Sequence, residues 1–177
     1  MDLGLISVRY ARALLKAGIE AKQSEKVYSD MLSVAESYIE LPQLKATIDN
    51  PMLSRQQKES LLVAAAAGTS CDLTKTFFAL VLKEGRESIM QFIANSFISL
   101  YRKHNNLIRA KLTTATTLDS KMETRLRQLV ESRTNGSVEF NTEVNPDIIG
   151  GFILEYDTYR MDASVKAQLN SVLSNLI

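Results

Sequence analysis

The sequence predicts an α+β protein: an N-terminal six-helix bundle followed by a small C-terminal α+β domain. Three observations carry this reading. Apolar residues recur at spacings of three and four from Leu5 to Tyr101. The spacing changes to two between Ile108 and Leu112. Strand-like and helical stretches then alternate to the end, too few for a doubly wound nucleotide-binding domain. The change of period near Asn105 and Asn106 divides the chain into residues 1–105 and 106–177. A length of 177 residues, 45% of them hydrophobic and 23% charged, suits an ordered protein with a buried core.

The first helix is read from Leu5, Val8, Arg12, Leu15 and Ile19, a stripe whose edge the alkyl stem of Arg12 covers. Val27, Met31, Val34 and Tyr38 repeat the spacing in a second helix, with the charged stretch Gln23 to Lys26 on its solvated face. Pro42 breaks the pattern before a short segment over Leu44 to Ile48, and Asn50-Pro51 marks the next turn. Ser54 and Gln57 then have capping-box spacing, with Leu53 outside the box and LLVAAAA beyond it.

In the fifth helix, Asp72 to Lys83, the residues Phe77, Leu80 and Val81 share one side, and Phe78 and Leu82 widen it. Such breadth suits an interior helix or a binding groove. Gly85 supplies a stop, and Ile89, Phe92, Ile93, Ser96, Phe97, Leu100 and Tyr101 make the sixth helix.

Beyond Asn106, Ile108, Ala110 and Leu112 alternate with Arg109, Lys111 and Thr113, as in a strand with one packed face. Ser120 and Glu123 form a second capping box before a helix lined by Met122, Leu126, Leu129 and Val130, and Asn135-Gly136 turns the chain. Val138 and Phe140 fit a second strand, and Phe152, Leu154 and Tyr156 a third. Val165, Leu169, Val172 and Leu176 give a final helix, with Asp162 as its N-cap.

Composition argues against several functions. A net charge of +1 gives no field that points to nucleic acid. The single cysteine, Cys71, makes no intrachain disulfide, and with the lone His104 it forms no metal-binding motif. Without an arginine-led apolar leader or an apolar run of about 18 residues, the chain is expected to be soluble, intracellular and not membrane-spanning. Gly150-Gly151 matches neither a dinucleotide fingerprint nor a phosphate-binding loop, and reads as a turn or bulge at a strand entry. Asp157 and Asp162 read as solvated carboxylates, and Tyr156, Tyr159 and Arg160 as the finish of a strand that shields its hairpin. No catalytic residue, cofactor or metal is assigned.

Three stretches resemble the δ subunit of bacterial F-type ATP synthase, a family that includes the mitochondrial oligomycin-sensitivity-conferring protein. VRYARALLKAG resembles the family's first helix. FFALVLKEGRESIMQFIANSFISLYRKHNN resembles its last two bundle helices, with Leu82, Arg86, Ile93, Phe97 and Tyr101 in their usual relation. NPDIIGGFILEYDTYRMDASVKAQLNSVL resembles its C-terminal signature, through Pro146, Ile149, Gly150, Gly151, Asp162, Ser164, Val165 and Leu169. Ala163 stands where glycine is frequent, and Thr114-Ala115 near a usual serine-alanine pair.

The resemblance implies a non-catalytic connector at the top of the peripheral stalk, on the cytoplasmic face of a bacterial inner or plasma membrane. Its bundle would bind the N-terminal helix of an α subunit, and its C-terminal domain the C-terminal region of the b subunit, with the rest of F1 and F0 engaged indirectly. Directed to the first and fifth helices, it marks Tyr10, Ala11, Leu14, Leu15, Phe77, Phe78 and Val81 as groove candidates, some of which must fill the core. Arg9, Arg12 and Arg86 become a polar clamp or ordinary surface charge, while Gly150, Gly151 and Asp162 take scaffold roles. The competing readings are a generic helix-binding scaffold and an RNA-binding protein; the latter lacks a compelling GXXG clamp and broad positive charge.

Overall fold

The computed structural model describes residues 3–66, 70–117, 120–134, 136–156 and 159–176. Asn135 and Asp157, and the side chains of Ser120, Met122, Leu129 and Leu176, lie outside that description. The chain forms two compact units, Met1–Tyr101 and Arg102–Ile177.

The first unit is built from α1 (Leu3–Glu20), α2 (Ser24–Glu40), α3 (Pro42–Ile48), α4 (Arg55–Ala65), α5 (Asp72–Lys83), a 3₁₀ turn over Glu87–Ile89, and α6 (Met90–His104) up to Tyr101. Its core is where the apolar periods converge. Val27, Met31 and Val34 of α2 are fully buried, as are Phe78 and Val81 of α5 and Met90, Ile93, Ala94 and Phe97 of α6. Tyr28 stacks on Tyr101 at 4.2 Å between ring centroids, an arrangement that adds to the burial of both rings.

Local chemistry sets the helix ends. The Ser54 hydroxyl accepts the Gln57 N–H, and the Gln57 side chain accepts the Ser54 N–H, closing the capping box that starts α4. Gly85 takes φ +60°, and α5 ends with the Gly85 N–H donating to the Leu82 carbonyl and the Arg86 N–H to the Val81 carbonyl. That pair of bonds is a Schellman ending, and the left-handed residue it needs is accommodated at little cost by glycine.

One helix, α1, buries a face other than the predicted one. On α1 the buried line is Ser7, Ala11, Leu14 and Gly18, while Leu5 and Ile19 are 67% and 41% exposed. Close approach explains the rotation. A Cβ on Gly18 would lie 3.3 Å from the Ser24 backbone, and the Ser7 hydroxyl sits 3.4 Å from that of Ser96; the bulk of Leu5 or Ile19 would hold these backbones apart. On α6 the predicted Ile93, Phe97 and Tyr101 are buried, while Phe92 faces outward and Ile98 joins the buried set.

The second unit contains β1 (Leu107–Thr114), α7 (Ser120–Thr134), β2 (Ser137–Val144), a 3₁₀ turn over Pro146–Ile148, β3 (Phe152–Tyr156), β4 (Tyr159–Asp162) and α8 (Val165–Leu176). The sheet order is β2-β1-β3-β4. β1 runs parallel to β2, with Ile108 opposite Val138, and antiparallel to β3, with Leu112 opposite Leu154. Parallel pairing needs a crossover, which α7 supplies. Ala110, Leu112, Leu126, Val130, Val138 and Leu154 form the core, with Phe140, Phe152, Tyr156 and Met161 packed against it.

β4 is one strand more than the sequence pattern predicts. It pairs antiparallel with β3, with Tyr156 opposite Tyr159. Its four residues are too few for a period, and only pairing with β3 defines it.

Candidate functional site

The described cavity of the helical unit is an open groove of about 560 Å³ between α1 and α5. Arg9, Tyr10, Ala13, Leu14 and Ala17 form the α1 wall, and Leu73, Thr76, Phe77 and Leu80 the α5 wall. At about 1.5 Å per residue the walls run for roughly 12 and 10 Å, two helical turns each. Tyr10 meets Phe77 edge-on, with centroids 6.4 Å apart, and joins the two walls. Leu80 remains 48% exposed beside a fully buried Phe78, so α5 divides its apolar breadth between the core and the groove.

Of the groove candidates, Tyr10, Leu14 and Phe77 line the cavity. Ala11, Phe78 and Val81 do not, because they are fully buried in the core. Leu15 is half-buried and outside the lining. The sequence reading missed Ala13, Ala17, Leu73 and Thr76, although Leu73, Thr76, Phe77 and Leu80 form an i, i+3, i+4, i+7 stripe. Ala13 and Ala17 carry no such signal; their small size opens the floor only once α1 has been placed.

The three arginines have different positions. Arg9 is exposed and is the charged member of the described lining. Arg12 is exposed outside it. The backbone of Arg86 closes the α5 ending, so this residue belongs to the scaffold rather than to a clamp on the groove.

Buried polar groups stand away from the groove lining. Lys58, with a side chain only 7% exposed, donates to Glu87 at 2.8 Å. Burial pushes the Glu87 carboxyl up, but the Lys58 hydrogen bond, the backbone and the charges of Lys58 and Arg55 outweigh it and hold the group below its usual range. Burial, helped by the charge of Asp49, pushes the Tyr38 phenol well above its usual value. Neither pattern places a nucleophile beside a base in the cavity. Among the described residues no group of three or more His, Cys, Asp or Glu converges as metal ligands, and His104 is exposed.

In the second unit the residues of the C-terminal signature build a joint. Gly151 takes φ +77°, and an added Cβ would collide with the Ala163 carbonyl. Within this joint the other positive φ falls on Ile149 at +69° and not on Gly150. Gly150 instead gives its carbonyl to the Val165 N–H at 3.0 Å, while the Phe152 carbonyl accepts the Ala163 N–H at 2.9 Å. The cap of α8 corrects the sequence reading. Ser164 accepts the Ala167 N–H at 3.1 Å, whereas Asp162 accepts the Ser164 N–H at 3.0 Å and remains in β4. The Ser164 contacts also hold the Asp162 carboxyl below its usual range.

Beyond this joint, Val165, Leu169, Val172 and Leu173 leave an apolar stripe of α8 exposed. Tyr156 and Tyr159 stack at 5.6 Å at the end of the β3–β4 hairpin, and Arg160 pairs with Glu155 at 3.1 Å. Among the described residues, no helix is long and apolar enough to cross a membrane.

The chain was also compared with known proteins. The family ATP synthase delta (OSCP) subunit matches residues 6–176. ATP synthase subunit delta of Phocaeicola vulgatus is 40% identical over all of this chain and 96% of that protein. Its counterpart in Parabacteroides distasonis is 37% identical over all of this chain and 98% of that protein. Among solved structures, a chain of the Toxoplasma gondii mitochondrial ATP synthase hexamer has the same fold, with a TM-score of 0.62, 23% identity and 96% of each chain covered.

Proposed function

This chain belongs to the ATP synthase delta (OSCP) subunit family, as a non-catalytic component of the F-type ATP synthase peripheral stalk, and we propose that it is the connector at the head of that stalk. In this reading the helical unit takes the N-terminal helix of an α subunit into the α1–α5 groove. The C-terminal unit engages the C-terminal region of the b subunit, and the chain works on the cytoplasmic side of a bacterial inner or plasma membrane as a peripheral subunit.

The observation that supports the reading is the open apolar groove, two turns long, beside a complete core. A partner helix lying in it presents apolar side chains at i, i+3 or i+4, and i+7. Each large side chain buried there contributes about 1.5–3 kcal/mol, before the cost of immobilising the partner. No proton transfer or bond cleavage is required. A connector that binds one partner with each unit resists torque by holding both ends, and ATP formation takes place elsewhere in the assembly.

Titrating the full chain with a peptide from the N-terminus of the α subunit of its own organism tests this, with an Ala13→Arg variant as control. The expected result is saturable binding that the variant weakens about tenfold or more, equivalent to roughly 1.4 kcal/mol. Ala13 is exposed on the groove wall, so the variant keeps its core. A folded wild-type chain that binds neither the peptide nor the intact α subunit overturns the reading.

A further inference from the structure

We propose that Asp30, which is outside the groove, sets its α5 wall by capping α5 from the neighbouring helix α2; as a statement about partner binding, this rests on the groove reading above. α5 has no cap of its own. Cys71, at its N-cap position, accepts no backbone N–H of the first turn through its side chain, and sulfur is a weak acceptor. An acceptor for the N-cap residue's own N–H and for the Thr74 hydroxyl comes instead from α2. One carboxylate oxygen of Asp30, Oδ2, accepts the Thr74 hydroxyl at 2.6 Å and the Cys71 N–H at 3.1 Å.

Asp30 is only 9% exposed, and Thr74 is fully buried. Leaving these donors without an acceptor inside the unit would therefore be costly. The thiol extends the chain of bonds: the one hydroxyl proton of Thr74 is committed to Asp30, so Cys71 Sγ, 3.1 Å away, donates to the Thr74 oxygen. The carboxylate also lies at the positive end of the α5 dipole, where negative charge is favourable.

The link to the groove is direct. Leu73, the first residue of the α5 wall, lies between the two residues that Asp30 holds. With the far end of α5 fixed by Gly85 and Arg86, Asp30 controls whether the first turn is wound and where Leu73 points. Asp30 is a positioning residue, coupled to a partner it does not touch.

The test combines peptide titration with amide hydrogen exchange on the full chain, for wild type, Asp30→Ala, Asp30→Asn and Thr74→Val, at a temperature where each is folded. Asp30→Ala is expected to weaken peptide binding about five- to tenfold, as loss of a cap implies. It should also speed exchange at the start of α5 while leaving α6 protected. Asp30→Asn, whose amide oxygen can accept both bonds, should restore most of the affinity, a rescue that general destabilisation does not give.

Should Asp30→Ala not fold, Thr74→Val, which removes one donor, carries the test through the same two readouts. Unchanged exchange at the start of α5, or exchange raised equally throughout the helical unit, overturns the proposal. Wild-type protein that binds no peptide sinks the groove reading instead, and the exchange data still decide whether Asp30 caps α5.

Discussion

Helices α2 and α8 carry nearly the same pattern and meet different fates. Val27, Met31 and Val34 are 0% exposed, whereas Val165, Leu169 and Val172 are 37%, 51% and 56% exposed. Spacing of three and four says that a helix has an apolar face. It does not say that the chain itself covers that face. In α2 the cover comes from other helices of the same unit; in α8 the described contacts run chiefly to the short turn at Pro146–Ile148. The groove of the helical unit lies between these extremes, with α5 burying Phe78 and leaving Leu80 open.

The sharpest way to break the comparison is to empty the α2 face. Met31→Ala is expected to cost about 2–5 kcal/mol in urea unfolding of the isolated chain, because a tightly packed site is left with a cavity. A cost near zero would show that α2 is no better supported than α8.

A smaller effect is expected at the buried ion pair. Glu87→Gln leaves Lys58 buried without its charge partner, at a cost of about 1–3 kcal/mol near neutral pH. Because the native Glu87 carboxyl titrates below its usual range, its stabilisation is fully present above the unfolded value of about 4.3 and fades as pH falls through the lower native value. Urea midpoints of wild type and variant should therefore converge on acidification; a constant gap would assign the loss to packing.

Next comes the start of α8. Ser164→Ala removes the acceptor for the Ala167 N–H and is expected to cost about 1 kcal/mol, seen as faster amide exchange over the first turn of α8. Asp162→Ala should cost less, since Asp162 bonds the chain ahead of the helix; the reverse order would return the cap to Asp162.

The smallest effect in the isolated chain belongs to Leu169→Ala, within about 0.5 kcal/mol of wild type by urea unfolding, as for an exposed side chain. Adding a soluble C-terminal fragment of the b subunit should widen that difference if the α8 stripe is its seat. An unchanged difference in a mixture that does form the complex removes the stripe from the interface.

Much of the fold was legible because its signals are local. Ser54 with Gln57, Gly85 after Lys83, and the alternation from Ile108 to Leu112 each depend on residues a few positions apart. The errors fall where neighbours distant in sequence decide. The apolar residues of α1 point to one face, and the small residues Ser7, Ala11 and Gly18 select another by admitting close backbones. Asp162 and Ser164 both have capping chemistry, and only the place where β4 ends separates them.

The site divides in the same way. Tyr10, Leu14 and Phe77 were readable as apolar residues and line the cavity, but Ala11, Phe78 and Val81 have the same chemistry and lie in the core. Ala13 and Ala17 matter through the space they leave, which no sequence window records. Asp30 reads in sequence as an ordinary charge on a helix and becomes a buried acceptor only because Cys71 and Thr74 arrive beside it.

The sequence by itself determined that this chain makes a helical bundle and then a small α+β unit, and which family it resembles, because periodicity, caps and turns are properties of neighbouring residues. Tertiary structure alone decided which apolar faces are core, which stay exposed, and which polar groups are enclosed. Burial is a relation between segments far apart in the chain, and the same leucine costs or contributes free energy according to what another helix places against it.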